Sequence, residues 1–262
     1  MDLGLTGKVA WVTAASRGIG AAAAHELAAE GAQVIMSARN MDTLRPVAEQ
    51  IASETGSSVT PIVSDNSDLA SIEALVEQAE TEIGPIEILV NNSLGPPTAR
   101  FSDISDEEWQ QAVDIKFMAQ MRQARAVFDK MVQMGGGRII NIVGIHARHA
   151  HAFAITAGIV NSALLSLTKA LAEEGAPANV LVNAINPGPI DTERMRYMCE
   201  VKAEIDGITV EEARRELVAE TMLKRFGEPR EVAALVAFLA SSRASFMTGC
   251  GIEVDGGLIR VL

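Results

Sequence analysis

A histidine-rich segment, GIHARHAHAF at residues 144–153, holds three of the four histidines of the chain. Histidine titrates close to neutral pH, so His146, His149 or His151 can donate or accept a proton there. Arg148 in the same segment can hold a carboxylate or a phosphate. The spacing His-x-x-His-x-His also invites a metal site, but no acidic or cysteine residue lies beside it, and we predict none. The alternative is that these side chains only cover the segment or a subunit contact.

A glycine-containing turn, TAASRGIG at residues 13–20, joins an apolar run to an alanine-rich helical segment. Gly18 and Gly20 let the backbone approach a pyrophosphate, and the N-terminus of the following helix offers free N–H groups and the positive end of its dipole. A glycine pattern alone is weak evidence. Its place between the first predicted strand and the first predicted helix favours a dinucleotide site.

Arg39 follows the second predicted strand in the sequence VIMSARN. In dinucleotide-binding folds an acidic residue at this point accepts the ribose hydroxyls of NAD, whereas arginine suits a 2′-phosphate. No carboxylate ends this strand, so we predict NADP(H) and regard NAD(H) as the weaker alternative. An arginine that is simply exposed on the surface is the other interpretation.

Short β-branched runs alternate with longer helical runs along the chain. The predicted strands span 8–13, 32–38, 58–63, 86–92, 137–144, 179–188 and 251–257, and the predicted helices include 18–30, 42–55, 68–82, 106–134 and 152–175. Strands separated by such helices form parallel pairs with right-handed crossovers, and nearly all-apolar strands indicate helices on both sheet faces. We therefore predict an α/β fold with one doubly wound, Rossmann-like parallel sheet in a single three-layer α/β/α domain over residues 1–262.

Composition narrows the classes of function. A net charge of −12 argues against general nucleic-acid binding. No uninterrupted apolar run approaches 18 residues and no signal peptide is evident, so we expect a cytoplasmic protein without a membrane span. Cys199 and Cys250 show no metal spacing and cannot form a disulfide framework, which favours reduced thiols.

Several motifs in the right order resemble the short-chain dehydrogenase/reductase family over essentially the full length. They are TAASRGIG, with Ala14 in place of the family's first glycine, then Asp65-Asn66, NNSLG (91–95), GRIINI, SLTKALAEE, NPGPIDT (186–192) and GCGIEVDGG. The resemblance implies a lid over a small-molecule substrate at about 190–226. It also implies a homodimer or homotetramer formed through the helices at 106–134 and 152–175.

The same resemblance implies a set of cofactor-binding residues. They are Thr13, Ser16, Arg17, Gly18, Ile19, Gly20, Arg39, Asp65, Asn66, Asn91, Ser93, Asn161, Pro187, Gly188, Ile190 and Thr192.

The family's catalytic residues are a tyrosine, a lysine, a serine and an asparagine. The lysine favours the phenolate and so lets tyrosine exchange protons near neutral pH. Counted from the LTKALA motif, the corresponding positions hold Ala157, Asn161, Gly144 and Lys116. The single tyrosine, Tyr197, has valine four residues later, so the chain contains no Tyr-x-x-x-Lys motif. Tyr197 falls in the predicted lid, and we expect it to be a lid or packing residue.

Lys116, His146 and His151 are the candidates for the missing proton chemistry. A buried lysine must find a partner or lose its proton. Lys116 can therefore replace the lost lysine, contact a substrate anion, form a Schiff base or extend its amine to the surface.

Three functions remain open at this stage. The first is an NADP(H)-dependent oxidoreductase that acts on a carbonyl or alcohol through a non-standard proton donor. The second is a catalytically inactive subunit that pairs with an active homologue. The third is a non-redox lyase, dehydratase or isomerase built on the same fold.

Overall fold

A computed structural model describes residues 2–93, 95–96 and 98–260 of the chain. Leu94 of the NNSLG motif lies outside these described residues. Seven strands form one parallel sheet in the order β3-β2-β1-β4-β5-β6-β7. The strands are β1 Val9–Val12, β2 Gln33–Ala38, β3 Val59–Val63, β4 Ile88–Asn91, β5 Gly137–Ile142, β6 Val180–Pro187 and β7 Gly251–Val254. The strand order reverses between β1 and β4, which confirms the predicted doubly wound fold.

Helices cover both faces of the sheet. They are α1 Gly18–Ala29, α2 Met41–Thr55, α3 Leu69–Glu82, α4 Asp106–Ala112, α5 Ala119–Met134, α6 Ile155–Gly175, α7 Glu193–Asp206, α8 Val210–Glu220 and α9 Pro229–Ala240. One buried apolar cluster joins the sheet to α1, α2 and α9, and a second joins it to α3, α5 and α6. The three-layer arrangement follows from these two clusters.

The helix predicted over 106–134 is interrupted by a π-helical turn at Val113–Met118, between α4 and α5. A capping box between Ser105 and Glu108 fixes the start of α4. Hydrogen bonds in a π turn reach one residue farther than in an α-helix, which widens the helix locally, and such turns are frequent at functional sites. Lys116 lies in this turn.

The predicted lid segment, 190–226, contains the two helices α7 and α8. Gly207 ends α7 with a left-handed φ of 66°, which glycine adopts without strain. The Lys202 ammonium joins the two helices, because its Nζ lies 2.6 Å from Asp206 Oδ2 on α7 and 2.9 Å from Glu216 Oε2 on α8. That this pair of helices closes over a substrate stays a prediction.

One helical stretch, Ile155–Ala178, is long and apolar enough by composition for a membrane span, with a mean hydropathy of 1.4 over 18 residues. Core helices of globular proteins pass the same test. This stretch, mainly α6, packs along β6 and buries Val160 and Leu164, while Ile159 is 54% exposed. Its length and composition are therefore weak grounds for a membrane location.

Candidate functional site

A cleft of about 1020 Å³ lies at the carboxyl ends of the strands, where open α/β sheets bind ligands. The turn between β1 and α1 forms one end of the cleft. The loop between β5 and α6, together with α7 and α8, forms the other. We call these the nucleotide end and the substrate end.

The backbone at the nucleotide end is shaped to take an anion. Helix α1 begins at Gly18 with no side-chain cap and no acidic residue in its first turn, so its first N–H groups are available. A Cβ on Gly20 would lie 2.5 Å from the Ala14 carbonyl oxygen, so this close approach requires glycine. Ala14, which replaces the family's first glycine, adopts a left-handed φ of 48°.

Most of the predicted cofactor-binding residues line this cleft. They are Ser16, Arg17, Gly18, Ile19, Arg39, Asp65, Asn66, Ser93, Asn161, Pro187, Gly188, Ile190 and Thr192. Thr13, Gly20 and Asn91 lie behind the wall and support it instead. The Thr13 hydroxyl donates to the Asn92 carbonyl at 2.5 Å, and Asn91 Nδ2 donates to the Gln120 carbonyl at 2.7 Å.

The nucleotide end offers an exposed arginine and an acceptor atom that has no described hydrogen-bond partner. Arg39 is exposed, lines the cleft and has no ion-pair partner within the described part of the chain. Hydrogen bonds from Ser67, assisted by the charge of Arg39, hold the pKa of Asp65 below its usual range. The buried Oδ1 of Asn66 accepts no hydrogen bond from any described residue. A nucleotide bearing a 2′-phosphate fits this arrangement of donors and acceptors.

The four positions that correspond to the family's catalytic residues meet at the substrate end. Lys116, Gly144, Ala157 and Asn161 all line the cleft, and Asn161 Nδ2 donates to the Gly144 carbonyl at 3.4 Å. Gly144 has a φ of 125°, and a Cβ there would lie 3.0 Å from Asn161 Nδ2. The backbone here is therefore built for glycine, and serine would be strained. The buried Oδ1 of Asn161 has no described hydrogen-bond partner.

Lys116 is buried, with 7% of its surface exposed, and its Nζ donates to the Val143 carbonyl at 2.6 Å. Burial, with a smaller effect of the Arg194 charge, lowers the pKa of Lys116 to about 7. The amine therefore does not extend to the surface. It is poised to change its protonation state near neutral pH.

His146, His149 and His151 all line the substrate end. Burial lowers the pKa of His146 to about 4, so its ring is neutral at neutral pH. His146 Nδ1 lies 3.1 Å from the carbonyl oxygen of His149 and donates to it, which leaves Nε2 as an acceptor. Arg148 instead pairs with Glu253 at 3.1 Å and is not part of the cleft wall, so its predicted role in holding a ligand anion is wrong. No group of three metal-ligating side chains converges within the described residues.

Sequence reasoning missed one residue of the substrate end, Arg194 in the first turn of α7. Its Nη2 donates to the Pro96 carbonyl at 2.6 Å and to Thr98 Oγ1 at 3.2 Å, and its guanidinium lies 5.2 Å from the centre of the Tyr197 ring. Burial lowers the pKa of Arg194. Its position two residues after the Thr192 helix cap, beside the NPGPIDT motif, was the available signal.

Comparisons with known proteins agree with this geometry. The family profile described as enoyl-(acyl carrier protein) reductase matches residues 13–259. The NADPH-dependent reductase BacG of Bacillus subtilis is 33% identical, over 97% of this chain and 98% of its own. The 3-oxoacyl-[acyl-carrier-protein] reductase FabG of Aquifex aeolicus is 32% identical, over 98% of this chain and 100% of its own.

Among solved structures, L-sorbose reductase from Gluconobacter frateurii, complexed with NADPH and L-sorbose, superposes with a TM-score of 0.93. It is 33% identical and covers 100% of both chains. The NADP(H) prediction agrees with the cofactor named for this reductase and for BacG. The profile match and these full-length relatives show the family that the motifs predicted. The chain belongs to the short-chain dehydrogenase/reductase family.

Proposed function

We propose that this protein is an NADPH-dependent oxidoreductase that reduces the carbonyl group of a small molecule, with Lys116 as the proton donor. The observation that carries the proposal is the buried Lys116 amine at the substrate end, whose pKa of about 7 suits proton transfer near neutral pH.

The nucleotide end supports the choice of cofactor. Arg39, which forms no ion pair with a described residue, offers its guanidinium to a 2′-phosphate, and the N-terminus of α1 offers N–H groups to a pyrophosphate. At the substrate end Asn161 Oδ1, which has no described hydrogen-bond partner, can accept a hydrogen bond from a ribose hydroxyl of the same nucleotide. NADPH, when bound, supplies the hydride that reduces the substrate carbonyl carbon.

The chain then has to supply one proton to the carbonyl oxygen. The Lys116 ammonium donates it as negative charge develops on that oxygen, and the neutral amine regains a proton from water. His146 is neutral at this pH, so it acts as a hydrogen-bonding group that orients the substrate rather than as the acid. His151 lies with its ring centre 6.3 Å from that of His146 and offers a second contact to the substrate.

Three proteins test the proposal: wild type, Lys116→Met and Lys116→Arg. NADPH and NADH are first titrated by calorimetry, and NADPH oxidation is then followed across a panel of aldehydes and ketones. The methionine variant keeps nearly the length of the side chain but has no ionisable proton. The arginine variant keeps the positive charge but does not release its proton.

We expect tight NADPH binding by all three proteins. Turnover should fall by about 10²–10⁴-fold in both variants, the usual range for loss of one general acid. Equal turnover by wild type and Lys116→Arg would show that a fixed charge suffices and would contradict a proton-donating role.

The buried Lys116 amine, with its lowered pKa, also favours a second function. At neutral pH a large fraction of Lys116 is a free amine, which can attack a carbonyl carbon and release water to form an imine. A non-redox lyase or dehydratase would use that imine. Borohydride trapping should then label Lys116 covalently only when a carbonyl substrate is present, and an unlabelled protein rules this function out.

We also propose that the protein works as a cytoplasmic homodimer or homotetramer, with α5 and α6 at the subunit contact. The exposed apolar surface of α6, which includes Ile159, supports this arrangement. Light scattering after size exclusion measures the oligomer. A protein that is monomeric and inactive alone, and gains turnover only with an active homologue, would favour the inactive-subunit alternative.

A further inference from the structure

A buried lysine and a partly buried arginine face the substrate end of the cleft, from different elements. Lys116 comes from the π turn before α5, and Arg194 comes from the first turn of α7. They are close enough for the charge of Arg194 to lower the Lys116 pKa. Neither forms an ion pair with an acidic side chain within the described ranges, and their recorded partners are neutral groups of Val143, Pro96 and Thr98.

The carboxylates that line the same cleft are engaged elsewhere or remain exposed. Asp191 pairs with Arg214 at 3.3 Å, and Glu193 pairs with Arg17 of the phosphate-binding turn. Asp65 accepts hydrogen bonds from Ser67. Glu220 is exposed, and it does not contribute to the shifted pKa of Lys116 or of Arg194.

This arrangement is unfavourable for the protein alone. A cation moved from water into a protein interior is destabilising by several kcal/mol unless an opposite charge accompanies it. The chain has 34 acidic residues against 22 lysines and arginines, so acidic side chains are plentiful, yet none of those in the described residues pairs with these two cations. The counter-charge is therefore expected from outside the chain.

Arg194 keeps donors free for such a group. The hydrogen bonds to Pro96 and Thr98 both use Nη2, and no described residue accepts a hydrogen bond from Nη1 or Nε, so each of these can donate to an oxygen of a carboxylate or a phosphate. Apolar side chains line part of the rest of the substrate end. They are Met195, Met198, Val201, Leu217 and Leu258.

We propose that the substrate is an anionic carbonyl compound, a keto acid or a ketone phosphate. Its anion binds to Arg194, its carbonyl oxygen lies at Lys116, and its apolar part packs against the lid helices. The identity of the carbonyl as the reacting group rests on the proposed function, but binding of the anion requires no hydride transfer.

Binding of the anionic compound should be coupled to uptake of a proton by the protein. An anion bound to Arg194 offsets the Arg194 charge and favours the charged form of the nearby Lys116, so the pKa of Lys116 rises above about 7 on binding. The charged or titratable groups that face Lys116 are Arg194 on α7 and His146 in the loop after β5. His146 is already neutral at pH 8, so proton uptake at that pH reports Lys116.

The experiment measures binding without turnover, on protein saturated with NADP⁺ so that the nucleotide phosphates fill the other anion site. The probes are matched pairs: 2-oxobutanoate with 2-oxobutanamide, and D-fructose 6-phosphate with D-fructose. Calorimetry at pH 8 in two buffers of different ionisation enthalpy gives both the affinity and the protons taken up. Arg194→Gln and Lys116→Met are run beside wild type, with Arg148→Gln as a matched surface control.

We expect at least one anionic probe to bind ten-fold or more tightly than its neutral partner, with uptake of a fraction of a proton. The carboxylate and phosphate pairs separate the two kinds of anion. Arg194→Gln should weaken the anion by ten-fold or more, Lys116→Met should abolish proton uptake, and Arg148→Gln should change neither.

Equal affinity for the anionic and neutral members of both pairs in wild type overturns the proposal, and this result needs no variant that folds. Anion binding without NADPH-linked reduction keeps this proposal and contradicts the proposed function. Reduction of neutral ketones without anion binding would keep the proposed function and contradict the anionic substrate.

Discussion

The nucleotide end and the substrate end of the cleft differ in how they use charge. At the nucleotide end the anion site is made of backbone N–H groups and an exposed arginine, whose positions do not require a charge to be buried. At the substrate end a buried lysine and a partly buried arginine have no acidic partner among the described residues. The first end binds a charged ligand with little strain, whereas the second holds an unfavourable charge that a ligand must balance. Substitutions at one end or the other therefore test this difference.

The largest effect expected is on stability, from Lys116→Met. Burial lowers the pKa of Lys116 from 10.5 to about 7, so the unfolded chain binds more protons than the folded one between these values. The free energy of unfolding of wild type should therefore rise with pH across that window. At pH 6 the variant, which carries no charge to bury, should be more stable by about 2–4 kcal/mol. Urea unfolding at several pH values measures both effects. An unchanged or lower stability of the variant at pH 6 would contradict the claim that the substrate end holds an unfavourable buried charge.

Gly20→Ala should damage the nucleotide end and weaken the binding of both nucleotides. The new Cβ would meet the Ala14 carbonyl oxygen at 2.5 Å and Asn92 Nδ2 at 2.9 Å, so the phosphate-binding turn must shift. Overpacking of this kind costs about 1–3 kcal/mol, or about 5–150-fold in NADPH affinity. Gly56→Ala, where a Cβ meets nothing within 4 Å, is the control and should lose stability without losing affinity. Unimpaired NADPH binding by Gly20→Ala would refute the assigned turn.

Arg39→Gln should change the choice of nucleotide rather than the ability to bind one. A charge-assisted bond to a phosphate contributes about 1.5–3 kcal/mol, so NADPH affinity should fall about 10–150-fold while NADH affinity stays the same. Calorimetric titration of both nucleotides checks this. An equal loss for NADH would mean that Arg39 does not contact a 2′-phosphate.

The smallest effect expected is from Ala14→Gly. Ala14 has a φ of 48°, a conformation that is about 1–2 kcal/mol less favourable for alanine than for glycine. Because glycine also loses more chain entropy on folding, the net gain in the free energy of unfolding should be about 1 kcal/mol. Denaturant unfolding measures it, and a destabilised variant would show that the strain is absent.

The fold was largely predictable from the sequence because apolar strands and alternating helices limit the topology to a few choices. The nucleotide end was predictable for a similar reason, since backbone geometry requires glycine at fixed points. Thr13 and Asn91 were placed one layer too close to the ligand, because spacing along a strand does not show which polar side chains turn inward.

The substrate end was harder to predict because its residues come from separate elements. Lys116 was recognised by its position, but its burial depends on the π turn, which no local pattern indicated. Arg194 was missed because nothing in its own segment shows that it folds back over Pro96 and Thr98. Arg148 was assigned to the ligand because its partner, Glu253, lies 105 residues away in sequence.

The most direct test of the central claim is the pH dependence of turnover by wild type and Lys116→Met, from pH 5.5 to 9.5, on whichever carbonyl compound the panel identifies. If Lys116 donates the proton, wild-type kcat/KM should fall as pH rises through about 7, because the ammonium form of Lys116 is then lost from the enzyme without substrate. The variant should be slower by about 10²–10⁴-fold at pH 6, with no decline at that pH. A variant that is as fast as wild type, or that keeps the wild-type decline near pH 7, would show that another group moves the proton.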